Sequence, residues 1–138
     1  MIRLAIFLFT LLVMISCKKN SNTIQELEIG IYKGTFTVDY DGKKQSASDI
    51  EVVFNIDNTY TSTGNRNPRV PAGGSGTYII KDNTVLFDDK NPWTTEFDPG
   101  LVLNGEYFST YKDKKLILKK TIKYNNSRTI YEYNLTKQ

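Results

Sequence analysis

Apolar and polar residues alternate along most of the chain after residue 29, with the period of two that a half-buried strand requires. From Gly30 to Tyr40, one parity holds Tyr32, Gly34, Phe36, Val38 and Tyr40, and the other holds Lys33, Thr35, Thr37 and Asp39. Asp41-Gly42 is a hairpin-turn pair. The next alternating run, Gln45 to Ile56, places Ile50, Val52, Phe54 and Ile56 on one face. Asp57-Asn58 then turns the chain into Thr59 to Thr63, with Tyr60 inward. Alternation resumes at Thr77 to Lys81 with Tyr78 and Ile80 inward, and turns at Asp82-Asn83 into Val85, Leu86 and Phe87. Leu101 to Tyr111 reads as a strand bent at Gly105. Asp113-Lys114 leads into Lys115 to Tyr124, with Leu116, Leu118, Ile122 and Tyr124 on one face. Asn125-Asn126-Ser127 leads into Arg128 to Thr136, with Tyr131, Tyr133 and Leu135 inward.

Two stretches break the pattern. Residues 64–76 hold four Gly and two Pro and predict a long loop. Residues 88–100 are irregular and contain Trp93 and two Pro. A single helical turn fits 23–28 and no other segment has helical periodicity. The prediction is an all-β fold of about eight or nine strands joined by short turns. Sequential short connections favour a meander, and closing it into an antiparallel up-and-down barrel removes the exposed edges. A two-sheet sandwich is the competing arrangement.

The first residues do not belong to this pattern. Arg3 supplies a positive start, and Leu4 to Ile15 is an apolar run broken only by Thr10. Such a run is short of the ~20 residues a membrane-spanning helix needs and fits a signal-peptide core. It ends in Met14-Ile15-Ser16-Cys17, which resembles a lipobox. The expected organisation is a cleaved lipoprotein signal peptide at 1–16, a lipidated Cys17 with its tether at 17–28, and a barrel domain at 29–138. Several acyl chains on Cys17 hold a protein stably on a membrane where one chain is marginal. Lys18 to Thr23 is polar and patternless, as a tether should be.

Composition narrows the chemistry. Cys17 is the single cysteine, so no internal disulfide is available and packing must hold the fold. The chain has no His, which excludes Ser-His-Asp and Cys-His catalysis and any His-ligated zinc site. Glu51, Glu96, Glu106 and Glu132 leave a paired-carboxylate mechanism formally open. No nucleophile–base pair is visible, so the expectation is a protein that is not an enzyme and uses no metal or cofactor. A net charge of +3 is too small for a nucleic-acid partner.

Certain segments carry a family likeness. Gly30-Ile31-Tyr32-Lys33-Gly34 opens the first strand, followed by Gly73-Gly74-Ser75-Gly76-Thr77-Tyr78. Trp93-x-x-x-Phe97-Asp98, Leu103-Asn104-Gly105-Glu106-Tyr107, Leu116 to Lys120 and Tyr131-Glu132-Tyr133 complete the set. Together they resemble the lipocalin-like lipoproteins of the Bacteroidetes, over about residues 29 to 138. That resemblance implies a lipocalin-like barrel. True lipocalins open with Gly-x-Trp and this chain has Tyr32 there, so a hollow interior does not carry over with the likeness. Lys18-Lys19-Asn20 directly after Cys17 also resembles such lipoproteins. The absence of an acidic cluster after Cys17 favours the periplasmic face of the outer membrane.

The candidate ligand-binding residues are the aromatics Tyr32, Phe36, Phe54, Tyr78, Tyr107, Tyr131 and Tyr133, with Tyr60 on the same cavity-lining face and Trp93 as a mobile lid, an exposed stacking platform or a plug. Tyrosines with an apolar face and a hydroxyl tip suit a small hydrophobic or amphipathic ligand. The alternative is a filled core, because an eight-stranded barrel is narrow enough for side chains to occupy it. In that case the expected role is an interaction protein of the envelope, an inhibitor or accessory subunit. Arg66 and Arg69 in the long loop are candidates for an anionic headgroup. Asp39 and Asp41 have calcium-like spacing but fit a plain turn better. Lys112, Lys114, Lys115, Lys119, Lys120 and Lys123 concentrate charge near one hairpin, as an anion-contacting patch or as protection for an edge. Oligomeric state is not legible.

Overall fold

The computed structural model describes residues 27–64, 73–95 and 98–138. The signal, Cys17, the polar tether and the arginines Arg66 and Arg69 all lie outside those residues, as do Glu96 and Phe97. Nine strands follow in order: β1 (Gly30–Tyr40), β2 (Lys43–Lys44), β3 (Ser48–Phe54), β4 (Thr59–Thr63), β5 (Gly74–Lys81), β6 (Thr84–Asp89), β7 (Gly105–Lys112), β8 (Lys115–Tyr124) and β9 (Ser127–Lys137). One 3₁₀ turn, Pro99–Leu101, interrupts them.

Each strand from β3 onward pairs antiparallel with its successor, and β9 returns to β1. That last pairing closes an eight-stranded up-and-down barrel, with β2 as a short appendage on β1. A meander with one apolar face per strand has two exposed edges, and closure pairs them. β1 is long enough to serve both neighbours. Gly30 to Phe36 pairs with β3, and Tyr32 to Tyr40 pairs with β9. Gly34 allows this double use. A Cβ at that position would lie 1.9 Å from the carbonyl oxygen of Asn134 on β9, so only glycine lets the two backbones approach.

The turns follow their residues. Asp41, Asn58, Asp82, Asp113 and Asn125 all have positive φ, a conformation that Asn and Asp tolerate better than other side chains. The inward parity supplies a core that includes Tyr32, Phe36, Phe54, Tyr60, Phe87, Tyr107, Leu116, Leu118 and Tyr133. The outer wall is mostly Thr, Lys, Asp and Glu. A barrel that spans a bilayer carries a continuous apolar band there.

Alternation misplaces several residues where strands outrun the barrel. Ile56 belongs to the turn after β3 and is 85% exposed. Ile80, Ile122 and Tyr40 are also exposed, each by about two-fifths, and Tyr124 is 77% exposed. The β8–β9 hairpin runs past β7 from Thr121 onward, and its tip from Ile122 to Arg128 has no strand beside it other than its own partner. Parity continues there but no core remains to face. The predicted strand at 45–56 is shorter, starting at Ser48, and the predicted loop at 64–76 ends sooner, since Gly74 to Gly76 already pair in β5. Leu27 and Glu28, at the end of the expected helical turn, are not helical.

Candidate functional site: the tyrosine-lined barrel interior

Seven of the eight predicted ligand residues converge. Tyr32, Phe36, Phe54, Tyr78, Tyr107, Tyr131 and Tyr133 are buried members of one cluster inside the barrel. Trp93 is not. It is 36% exposed, and its Nε1 donates to Asp89 Oδ2 at 2.5 Å. The indole therefore lies outside the buried cluster, where a stacking platform could sit and a plug could not. Tyr60 and Phe87 join the cluster. Tyr60 is one of the inward aromatics expected on the cavity-lining face.

The rings touch in a continuous series. Phe54 lies 5.4 Å from Tyr32, 5.1 Å from Tyr78 and 6.1 Å from Phe87, measured between centroids. Phe87 meets Tyr60 at 4.9 Å and Tyr107 at 5.7 Å. Tyr107 meets Tyr133 at 5.7 Å, and Tyr133 meets Phe36 at 4.6 Å. Most of these pairs are edge-to-face, the geometry aromatic quadrupoles favour. At one end Tyr32 reaches Tyr111 across the lumen at 6.3 Å. Tyr32 also donates its hydroxyl to the Glu28 carbonyl at 2.7 Å, so the segment entering β1 caps that end.

The other end is closed by a strap, residues 98–104. Asp98 accepts from the Gly100 amide at 2.8 Å and starts the 3₁₀ turn, with Pro99 at its first position. Gly100 lies flat on the Tyr131 ring, where a Cβ would be 2.2 Å from Cζ. Leu101 and Leu103 point into the core, and the Leu103 amide donates to the Gly73 carbonyl at 3.1 Å. The predicted strand Leu101 to Tyr111 is therefore two things, a plug and then β7. Gly105, at φ +83°, separates them.

Polar groups in this interior are unevenly matched. Tyr60 donates to the Leu103 carbonyl at 2.5 Å. The Tyr107 and Tyr133 hydroxyls are fully buried and make no hydrogen bond of ordinary geometry. They lie within electrostatic reach of each other, and Tyr60 is within reach of both. Burial pushes the hydroxyl pKa values of all three up, so they remain neutral donors at any physiological pH. Burial is also the main cause at Tyr131, pushed up to about 12, with the Asp98 carboxylate adding to it. Lys120 stands at the rim. Its Nζ donates to the Asn104 carbonyl at 2.8 Å and lies 5.4 Å from the centre of the Tyr107 ring. Burial holds its pKa below the usual lysine range. Signals for the aromatic wall were present in the alternation; nothing in it marked the strap or the unmatched hydroxyls.

The other candidates disperse. Asp39 accepts from the Gly42 amide and Asp41 from the Arg128 amide, each at 2.6 Å, so both serve the hairpin. Among the described residues no group of three acidic or sulfur ligands comes together. Glu51 pairs with Lys33 at 3.2 Å and Glu132 with Lys119 at 3.8 Å, on separate parts of the outer wall, and Glu106 is exposed. The lysines do not form one patch. Lys115 and Lys123 stand at opposite ends of β8, about 26 Å apart at strand rise. Outside the barrel, Ile79 faces Leu86 across a ladder, and Phe108 and Ile117 continue the diagonal over β7 and β8. All four are exposed, and a shallow depression of about 280 Å³ adjoins Ile79 and Leu86. An open groove of about 620 Å³ crosses β1, β3 and the end of β4.

No protein-family model matches the chain, and neither curated proteins nor solved structures give a match. Among the described residues no helix is long and apolar enough to cross a membrane.

Proposed function

We propose that the protein is a lipid-anchored, non-enzymatic binding module of the bacterial envelope, holding a small hydrophobic or amphipathic ligand inside its lipocalin-like barrel. The observation that carries this reading is the polar mismatch in the interior. Two tyrosine hydroxyls, Tyr107 and Tyr133, are buried with no hydrogen bond of ordinary geometry, and each has the other's hydroxyl as its side-chain partner. A buried donor left unmatched loses ~1–3 kcal/mol of solvation, so a purely structural core favours Phe at such positions. The apolar run ending in Ser16-Cys17 supports the anchor, and the absence of an acidic cluster after it supports the periplasmic face of the outer membrane.

A second reading rests on the outer stripe of Ile79, Leu86, Phe108 and Ile117. Exposed apolar residues in one line mark contact surfaces more often than isolated ones do. On that reading the barrel is a solid scaffold for a protein partner.

Two experiments test the proposal. Cys17→Ala should move the protein out of the membrane fraction, and retention there contradicts the anchor. Solvent extraction of protein purified from its own host's envelope should release a stoichiometric small molecule. Repeated extraction that yields none contradicts the ligand, and loss of a co-purifying protein on Phe108→Asp would then favour the second reading.

A further inference from the structure

Four exposed isoleucines gather at one end of the barrel. Resting on the lipid-anchor reading above, we infer that this end is a membrane-docking surface, where Ile29, Ile56, Ile79 and Ile80 enter the surface of the bilayer that holds the acyl groups of Cys17.

Up-and-down topology fixes which residues share that end. Successive strands alternate in direction, so the start of β1, the β3–β4, β5–β6 and β7–β8 turns and the end of β9 all lie at one rim. This is the entry rim, where Leu27 leads towards β1. One half of it is aliphatic. Ile29 precedes Gly30, which pairs with Phe54, and Ile56 lies in the turn that follows β3. That turn abuts β5, because the Asn58 carbonyl accepts from the Tyr78 amide at 2.8 Å. A depression of about 290 Å³ beside it is lined by Asn58, Tyr78, Ile79 and Ile80. β4 pairs with β5 only as far as Thr77, so the end of β5 has no strand on that side. Ile56 is 85% exposed and Ile79 64%, with Ile29 and Ile80 exposed beside them. Single exposed aliphatics are ordinary, but neighbouring ones on adjacent elements make a contact patch.

The other half of the rim carries Lys81, Lys112, Lys114 and Lys115, and Lys137 is paired with Glu28. Asp57, Asp82 and Asp113 stand among them, so the charges nearly balance. Docking therefore draws on apolar burial, with the lysine stems lying along the interface and their ammonium groups in the headgroup layer.

The length of chain before the barrel selects the bilayer as occupant. Residues 17–26 separate the anchor from Leu27, and ten residues reach at most ~35 Å. They join the barrel at the entry rim. β1 runs ~33 Å from Gly30 to Tyr40 at strand rise, or ~25 Å of height at the usual barrel tilt. Bringing the opposite rim to the membrane would take most of the available reach, whereas the entry rim meets it with length to spare. The anchor holds this rim at a high effective concentration over the bilayer, so even a weak apolar contact is populated.

The lipidated protein in phosphatidylethanolamine–phosphatidylglycerol vesicles is the test system, with Trp as depth reporter and brominated acyl chains as quencher. Two forms carry Trp93→Phe, one with Ile56→Trp on the entry rim and the other with Tyr124→Trp at the β8–β9 turn on the opposite rim. Quenching at position 56 should exceed that at position 124 about fivefold or more, because only the first reporter enters the interface. Salt at about 0.5 M should leave it unchanged, since screening weakens charge contacts and not apolar ones. Adding Ile79→Asp should cut quenching at position 56 by about half or more, while the protein stays with the vesicles and keeps its circular dichroism. Equal quenching at the two positions, stronger quenching at position 124, loss in salt, or indifference to Ile79→Asp overturns the inference. Absence of quenching together with a dimer that Ile79→Asp dissociates also overturns it, and assigns the rim to a second copy. The anchor reading fails separately, when the intact mass shows no acyl groups on Cys17.

Discussion

Replacing Phe87 with Ala tests the packing that organises the interior. Phe87 is 1% exposed and touches four other rings, Phe54, Tyr60, Tyr78 and Tyr107. A buried Phe→Ala change typically costs about 3–5 kcal/mol, and edge-to-face partners place Phe87 at the upper end. A domain of this size has ~5–15 kcal/mol to lose. The expected effect is therefore a third or more of the total stability, or a fall in Tm of about 12–20 °C. Phe108 is the internal control. It has the same side chain and lies one strand away, but is half exposed on the outer wall, so Phe108→Ala should cost about 0.5 kcal/mol or less. Urea unfolding followed by circular dichroism measures both, and an unchanged m-value keeps the comparison valid. A Phe87→Ala variant no less stable than Phe108→Ala would refute the contact series, and with it the view that these rings pack as one core.

Three further outcomes are expected. Tyr60→Phe should destabilise by about 1–3 kcal/mol, because it leaves the buried Leu103 carbonyl without its donor, whereas Tyr107→Phe and Tyr133→Phe should each be within about 1 kcal/mol of the parent or more stable; chemical denaturation distinguishes them. Gly34→Ala should cost about 2 kcal/mol or more, since its Cβ would meet the Asn134 carbonyl backbone, and a thermal melt that does not fall would contradict the close β1–β9 approach. Raising the pH should unfold the barrel through its tyrosines. The folded-state pKa values of Tyr60, Tyr107 and Tyr133 lie above the ordinary 10.0, so their contribution is complete below pH 10.0 and is lost as the pH climbs towards the raised values. Tyrosinate absorbance and circular dichroism should then change together, and ionisation of the full complement in a still-folded barrel would contradict that burial.

Much of the barrel is legible in residue order, because its physics is local. Strands such as Gly30 to Tyr40 carry their inward face as strict alternation, and their turns carry Asp-Gly, Asp-Asn or Asn-Asn pairs. Closure is a different matter. The β1–β9 pairing joins Tyr32 to Lys137, and no local signal sets it; it follows from the need to pair two edges. Alternation also has no sense of where a sheet stops covering a core, which is why Ile56, Ile122 and Tyr124 share the inward parity yet face solvent. The strap is the deepest departure. Leu101 and Leu103 have the parity of Tyr107, so the whole segment reads as one strand. The corrective signal is Asp98-Pro99-Gly100, a capping residue, a Pro at the first turn position and a glycine pressed against Tyr131. Within the site, the aromatic wall is legible in the alternation, whereas Trp93 lies in an irregular stretch whose sequence carries no parity to place it.

The most direct measurement of the protein's role is its intact mass, taken after gentle extraction from the membranes of its own host. Under denaturing conditions the mass should correspond to residues 17–138 with diacylglyceryl and acyl groups on Cys17. Under native conditions it should exceed that value by one small molecule. A mass that includes residues 1–16 would contradict the anchor. Identical native and denatured masses in repeated preparations would contradict a ligand-holding barrel.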